Sequence, residues 1–332
     1  MIISRTPFRI SFFGGGTDYP AWFRQNGGVV LATTIDKYCY ISCRYLPQFF
    51  EHKYRIVYSK IENVREISHI EHPAVRAVLE WLKCDKGLEI HHDGDLPARS
   101  GLGSSSSFTV GLINAITALN GRYVSKEDLA NQAIHIEQEV LKENVGSQDQ
   151  VSVAHGGFNR IEFKRDNTYD VTPVVLPGAQ LKQLEGSLML FFTGISRFSS
   201  DVARTQIENF KKREVELRRM ESMVTDALSI LNGNTDRFDD FGRLLNEAWK
   251  YKQSLSDRVS SDAINLIYEE AIKGGAIGGK LLGAGGGGFM LFYVRPEKQE
   301  LVKERLGRLI HVPFHFENSG SRVVLYQPHG LG

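Results

Sequence analysis

The chain has 332 residues, 42% of them hydrophobic, with 40 Lys and Arg against 39 Asp and Glu and a formal net charge of +1. That length buries a sizeable core and favours two domains over one, and interleaved charges of near-zero sum argue against nucleic acid or a membrane surface as partner. No run approaches the roughly 18 apolar residues that cross a bilayer, Met1-Ile-Ile-Ser-Arg lacks a signal-peptide layout, and Cys39, Cys43 and Cys84 form no disulfide or zinc pattern, so a cytoplasmic protein with core thiols is expected.

Residues 2–13 read as a strand in which Phe8, Ile10 and Phe12 alternate with Arg9 and Ser11. Taken alone, Arg9 reads as facing solvent. The strand runs into Gly14-Gly-Gly-Thr-Asp18-Tyr-Pro20, where glycines let backbone approach a ligand. Asp18 either accepts hydrogen bonds from ligand hydroxyls or caps the turn, and its spacing favours neither. Residues 29–43 form a longer extended run, with Ile35, Lys37, Cys39, Ile41 and Cys43 on one face, and residues 54–58 a further strand of an antiparallel sheet. Residues 74–82 are helical and 88–92 a strand; His91 and His92 point to opposite faces and make no metal pair.

The stretch at 97–112, Pro97-Ala-Arg-Ser-Gly-Leu-Gly-Ser-Ser-Ser-Ser-Phe-Thr-Val-Gly-Leu, organises the rest. Gly101 and Gly103 leave room for a ligand, and Ser104, Ser105, Ser106 and Ser107 crowd hydroxyls onto a helix start. Phe108, Leu112, Ala115, Ile116 and Leu119 share one face of that helix, which Asn120-Gly121 ends. Its amino end offers unpaired N–H groups and a positive dipole end, which suits a polyphosphate. No Gly-x-x-x-x-Gly-Lys-Ser/Thr is present, so the common lysine-bearing loop is excluded. A mere Gly/Ser connector would not lead straight into an amphipathic helix.

The next helix opens at Ser125 with Asp128 three residues on and buries Leu129, Ala133, Ile136 and Val140. Glu137 sits at the edge of that face and by itself reads as solvated. Asp149, in Asn144-Val-Gly-Ser-Gln-Asp149, suits a general base or a helix cap equally. Strands follow at 158–163, 171–176 and 188–192, the last ending in Thr193-Gly-Ile-Ser-Arg197. The second half is mostly helical, over 201–231, 236–255 and 261–273, before a glycine-rich loop at 274–288 and a close of helix 297–309 and strands 311–316 and 321–326.

Three stretches in this order resemble the signature of the GHMP kinases, small-molecule kinases named for galactose, homoserine, mevalonate and phosphomevalonate. They are Thr6-Pro-Phe-Arg-Ile-Ser-Phe-Phe-Gly-Gly-Gly-Thr-Asp-Tyr, Pro97-Ala-Arg-Ser-Gly-Leu-Gly-Ser-Ser-Ser-Ser and Lys280-Leu-Leu-Gly-Ala-Gly-Gly-Gly-Gly-Phe. Within the family, Gly-Gly-Gly-Thr-Asp and Thr193-Gly-Ile-Ser-Arg197 are most similar to kinases of D-glycero-D-manno-heptose 7-phosphate and next to fucokinases. Galactokinases carry Gly-Glu-His-Thr-Asp-Tyr at the first stretch, a departure that argues against galactose.

The resemblance implies an α+β fold of two domains, a ribosomal-protein-S5-domain-2-like unit over 1–180 and a ferredoxin-like unit over 181–332, with the active site between them. It implies ATP and Mg2+ as cofactors and a small-molecule sugar phosphate as partner, with a homodimer as the candidate assembly. Asp149 matches the catalytic aspartate and Arg9 the basic residue beside it; Glu137 and Ser105 match magnesium ligands. ATP falls to Pro97, Ser100, Gly101, Leu102, Gly103, Ser104, Ser105 and Ser106. The sugar falls to Gly15, Gly16, Thr17, Asp18, Gly285 and Gly286, with Arg197 toward a distal phosphate. The implied reaction is ATP-dependent phosphorylation of an anomeric hydroxyl.

Overall fold

The computed structural model describes residues 1–98, 100–195, 199–233 and 237–328. The opening strand β1 (Ile2–Phe13) leads through the glycine turn to helix α1 (Pro20–Asn26), begun by a proline that pre-sets the first helical turn. β2 (Gly28–Tyr45) then returns antiparallel along the whole of β1. Their register shifts by two between Pro7 and Phe8, where the pairing passes over Asp36 and Lys37 of β2. The hairpin of β3 (Tyr54–Val57) and β4 (Ile61–Val64) is followed by α2 (Pro73–Trp81) and β5 (Leu88–Gly94). β5 enters between β2 and β3 and pairs parallel to β3, so the expected antiparallel sheet is mixed; the α2 crossover is what brings a strand back in the same direction.

α3 (Ser104–Leu119) packs across β1 and β2, α4 (Lys126–His135) lies beside it, and α5 (Gln148–His155) packs on both α3 and β1. The hairpin of β6 (Phe158–Phe163) and β7 (Tyr169–Pro173) extends β2. After α6 (Gly178–Gly186), β8 (Leu188–Phe192) starts a second sheet. Helices α7 (Ser199–Asn209), α8 (Glu214–Leu231), α9 (Phe238–Ser254) and α10 (Asp262–Lys273) precede β9 (Ala276–Leu281) and β10 (Phe289–Val294). Then α11 (Gln299–Arg305) and β11 (Ile310–Val312) complete a four-stranded antiparallel sheet in the order β11-β8-β10-β9. β12 (Phe316–Glu317) and β13 (Arg322–Tyr326) go back to the first sheet, on β2 and β1. The unit expected over 181–332 thus sends its carboxy-terminal strands back to the amino-terminal sheet, β13 onto β1 and β12 onto β2 between β6 and β5.

Other differences have local causes. The single helix expected over 201–231 is two, interrupted where Phe210 turns in to pack its ring against Tyr19 and Trp22. The glycine run at 274–280 is largely strand β9, not loop: a Cβ on Gly278 would meet the Gly242 carbonyl at 2.0 Å, so α9 lies directly on its backbone. Val140 is exposed although it was expected on a buried face, because residues Ile136–Val140 adopt a π turn whose extra residue rotates the helix phase. Among the described residues no helix is long and apolar enough to cross a membrane.

Candidate active site

The two glycine-rich loops meet. A Cβ on Gly283 would fall 2.5 Å from Gly101 Cα, one on Gly288 would fall 2.2 Å from the Ser100 carbonyl, and Phe289 N donates to that carbonyl at 3.2 Å. Gly101, Gly283 and Gly288 all have positive φ, so close approach and backbone conformation both require glycine. The loop at 97–103 thus ends at α3 with its inner side closed: Ser100 and Leu102 are buried, while Pro97 and Ser105 are exposed and Gly101 and Ser104 half-buried. The expected ATP residues split accordingly between a supporting side and an open side. Gly285 and Gly286 are also buried, Gly286 N donating to the Val259 carbonyl at 2.9 Å, so the accessible part of the second loop is Gly283 and Ala284. Gly285 and Gly286, expected at the substrate, are enclosed by the protein's own backbone.

Arg9 corrects its solvent-facing reading. It is 3% exposed, and it binds Asp149 through two parallel bonds, Nε to Oδ1 and Nη2 to Oδ2, each 2.8 Å. Its Nη1 donates to the Gly101 carbonyl at 2.6 Å and its backbone N to the Leu102 carbonyl at 2.9 Å. Ser4 and Thr6 meet Gly111 of α3 before the register shift at Pro7/Phe8, and Arg9 meets Gly103 after it. Asp149 stands in the first turn of α5 and keeps 26% side-chain exposure against 4% for Arg9, so the carboxylate is the partner that reaches the cleft.

Asp18 lies beside this pair. Its Oδ1 accepts from Gly16 N at 2.9 Å, its Oδ2 from Gln148 N at 3.4 Å and its carbonyl from Ser147 N at 2.9 Å. The side chain therefore ties the glycine turn to the amino end of α5, the capping alternative, across 130 positions. Burial, with the nearby Asp149 charge, pushes its carboxyl up to about 6. Thr17 is likewise internal, its hydroxyl donating to the Gly14 carbonyl at 2.8 Å, and Gly15 is the half-buried residue of the turn. Gly146 carries no expectation from sequence, yet a Cβ there would lie 1.8 Å from Asp18 Oδ2. Gly146→Ala is expected to swing the Asp18 carboxylate away and raise the sugar KM about tenfold or more, with ATP affinity within about twofold, measurable by steady-state kinetics and ATP titration.

Glu137 is fully buried on the π turn, not solvated. Its Oε2 accepts from Ser106 Oγ at 2.9 Å and from Gln150 Nε2, while Oε1 has no hydrogen-bond partner. Burial pushes the carboxyl up to about 7. An enclosed carboxylate with one orphaned oxygen at the start of α3 fits a divalent cation, whose remaining ligands would be hydroxyls and phosphate oxygens. Ser106, not Ser105, bonds Glu137; Ser105 is exposed on the same helical turn. Among the described residues no group of three His, Cys, Asp or Glu forms a metal site on its own.

Arg197 lies outside the described residues. Of the other basic residues near the first half, Arg44 is paired with Glu89, Lys37 with Asp36, and Arg24 donates to Asn167 at 2.6 Å.

Residues 68–157 match the family described as GHMP kinases N terminal domain, and residues 227–311 the GHMP kinases C terminal family. The chain is 32% identical to D-glycero-alpha-D-manno-heptose 7-phosphate kinase of Campylobacter jejuni over 320 residues, covering 91% of this chain and 92% of that protein. It is 25% identical to the bifunctional fucokinase/GDP-fucose pyrophosphorylase of Arabidopsis thaliana over 90% of this chain, spanning 30% of that longer protein. The structure of a D-glycero-D-manno-heptose 1-phosphate kinase from Bacteroides thetaiotaomicron superposes with a TM-score of 0.79 at 24% identity, over 98% of this chain and all of that one, a likeness of fold.

Proposed function

The chain belongs to the GHMP kinases, and from that premise we propose that it is an ATP-dependent sugar kinase that phosphorylates the anomeric hydroxyl of D-glycero-D-manno-heptose 7-phosphate. The product is the 1,7-bisphosphate, a precursor for GDP-heptose and surface glycans. The observation that carries the reading is the Arg9–Asp149 pair, held by two bonds between the glycine turn and the phosphate loop, with the carboxylate toward the cleft.

Phosphoryl transfer asks chiefly for positioning and charge neutralisation. The amino end of α3, with its positive dipole end, receives the triphosphate. Glu137, with the hydroxyls of Ser105 and Ser106, would hold Mg2+, which neutralises phosphate charge. Asp149 takes the proton of the attacking hydroxyl on a lone pair that Arg9 leaves free, and the two bonds from Arg9 hold that carboxylate in place. An anomeric hydroxyl is more acidic than an ordinary alcohol and needs only a modest base. Asp18 fixes the glycine turn against α5, and Gly15 presents backbone to the sugar. A sensor that had lost catalysis has no need of these groups in register, which disfavours a non-catalytic role.

The test is ADP release with Mg-ATP over D-glycero-D-manno-heptose 7-phosphate, mannose 6-phosphate, fucose, galactose, homoserine and mevalonate, with phosphorus NMR of the product. Turnover confined to the heptose phosphate, with a new anomeric phosphate signal, is expected. Turnover on fucose or another free sugar replaces the substrate, and ATP binding without turnover on any of them overturns the kinase reading.

A further inference from the structure

Two ammonium groups lie where the second sheet meets the first, and no step above uses them. Lys280 on β9 is 4% exposed and reaches β1, where Nζ donates to the Phe12 carbonyl at 2.7 Å. Lys252, near the end of α9 and also buried, donates to the carbonyls of Leu281 at 2.7 Å and Gly283 at 2.5 Å. These hydrogen-bond partners are all neutral carbonyls, an unusual setting for a buried ammonium; an alkyl chain of similar length fills the same space without that cost.

Both groups act on backbone that shapes the site. Phe12 lies two residues before the Gly14 turn, and Leu281 and Gly283 open the loop that rests on Gly101. Arg9 is the third cation of this region, and the facing acids are Asp18 and Asp149, the latter already matched by Arg9. With both lysines charged, three cations (Arg9, Lys252, Lys280) face two carboxylates (Asp18, Asp149), leaving one positive charge over.

We infer that Lys280 and Lys252 are positioning residues that couple phosphate binding to the seating of the two glycine segments. An anionic phosphate entering at the start of α3 balances the extra charge, keeps the pair protonated, and so holds β9 on β1 and Gly283 on Gly101. The inference rests on the kinase reading only in taking the anion to be a phosphate, either of ATP or of the sugar.

The electrostatics agree in sign. Burial first, then the Arg9 charge, push the Lys280 ammonium down to about 7, against a smaller opposing pull from Asp18. Burial, the Lys280 charge and the Arg9 charge push Lys252 well below its usual range. Above pH 7 the free protein thus carries less than its full charge here, and a bound phosphate favours the charged form. Binding takes up a proton, and affinity falls by up to about tenfold per pH unit above 7 through Lys280.

The experiment is calorimetric titration at pH 8 in two buffers of different ionisation enthalpy, with Mg-ATP in one arm and D-glycero-D-manno-heptose 7-phosphate in the other. The wild type is expected to take up about one proton in the arm whose phosphate the pair answers. Lys280→Arg, which cannot titrate, should lose that uptake and keep its affinity as pH rises. Lys280→Met should lose the uptake and bind at pH 6.5 as weakly as the wild type does at pH 9. Lys252→Arg repeats the test if the Lys280 variants do not fold. Unchanged uptake in the variants, or none in the wild type while Mg-ATP binds, overturns the inference. Uptake on Mg-ATP without heptose phosphate turnover leaves it standing and removes only the substrate.

Discussion

Asp149→Asn is expected to lower kcat by about 10²- to 10⁴-fold, a barrier increase of about 3–5 kcal/mol, with the KM of each substrate changed by only about twofold. The asparagine keeps the shape and one of the two bonds from Arg9 but cannot take a proton. It also leaves a buried guanidinium facing a neutral amide. Arg9 is the enclosed partner and Asp149 the more accessible one, so the loss of stability should be about 2 kcal/mol, less than for a pair enclosed on both sides. Arg9→Met combined with Asp149→Asn should recover part of that stability without recovering turnover, because the uncompensated charge is gone and the base is still missing. Thermal unfolding and single-turnover kinetics on the wild type and the two variants check both halves. A single Asp149→Asn variant within about tenfold of wild-type kcat sinks the base assignment.

Glu137→Gln should separate stability from activity in the opposite direction. The folded Glu137 carboxyl titrates near 7 and its unfolded counterpart at 4.5, because burial disfavours the charged form. Between those values the folded state holds a proton that the unfolded state has released. Stability from this group is therefore fully present below pH 4.5 and lost as pH rises through 7, by about 3 kcal/mol in all. A glutamine never ionises and can still accept from Ser106 and Gln150. The variant without ligand should melt several degrees above the wild type at pH 8 and alongside it near pH 4.5. Its magnesium-dependent gain in ATP affinity should disappear, with kcat down by about 100-fold or more. Equal melting at pH 8 would mean that the buried carboxylate is not held at a cost, and the cation assignment would lose its physical basis.

Much of the frame was legible in the chain. The strand at 2–13 falls where alternation puts it and that at 188–192 on a short apolar run, the helix from Ser104 ends at Asn120-Gly121, and Ser125 caps α4 by accepting from Asp128 N at 3.0 Å. The glycine loops also stood out, since so many residues lacking Cβ make sense only against another backbone or a ligand. Reading each residue on its own misplaced Arg9 and Glu137. Residue type alone puts both in water; Arg9 turns in to a carboxylate 140 positions away, and Glu137 stands one helical turn after buried Ala133, against Ser106 and Gln150.

By itself, then, the sequence determined the periodic elements, the glycine turns and the family, all of which depend on residues near one another in the chain or on motifs kept in order. Only the tertiary structure decided which groups meet: Arg9 with Asp149 across 140 positions, Glu137 with Ser106 and not Ser105, Gly146 beneath the Asp18 carboxylate, and Lys280 on the Phe12 carbonyl. The physical reason is that hydrogen bonds and charge pairs act over a few ångströms. The alternation of one segment records which face a side chain takes and not which distant group it will meet there.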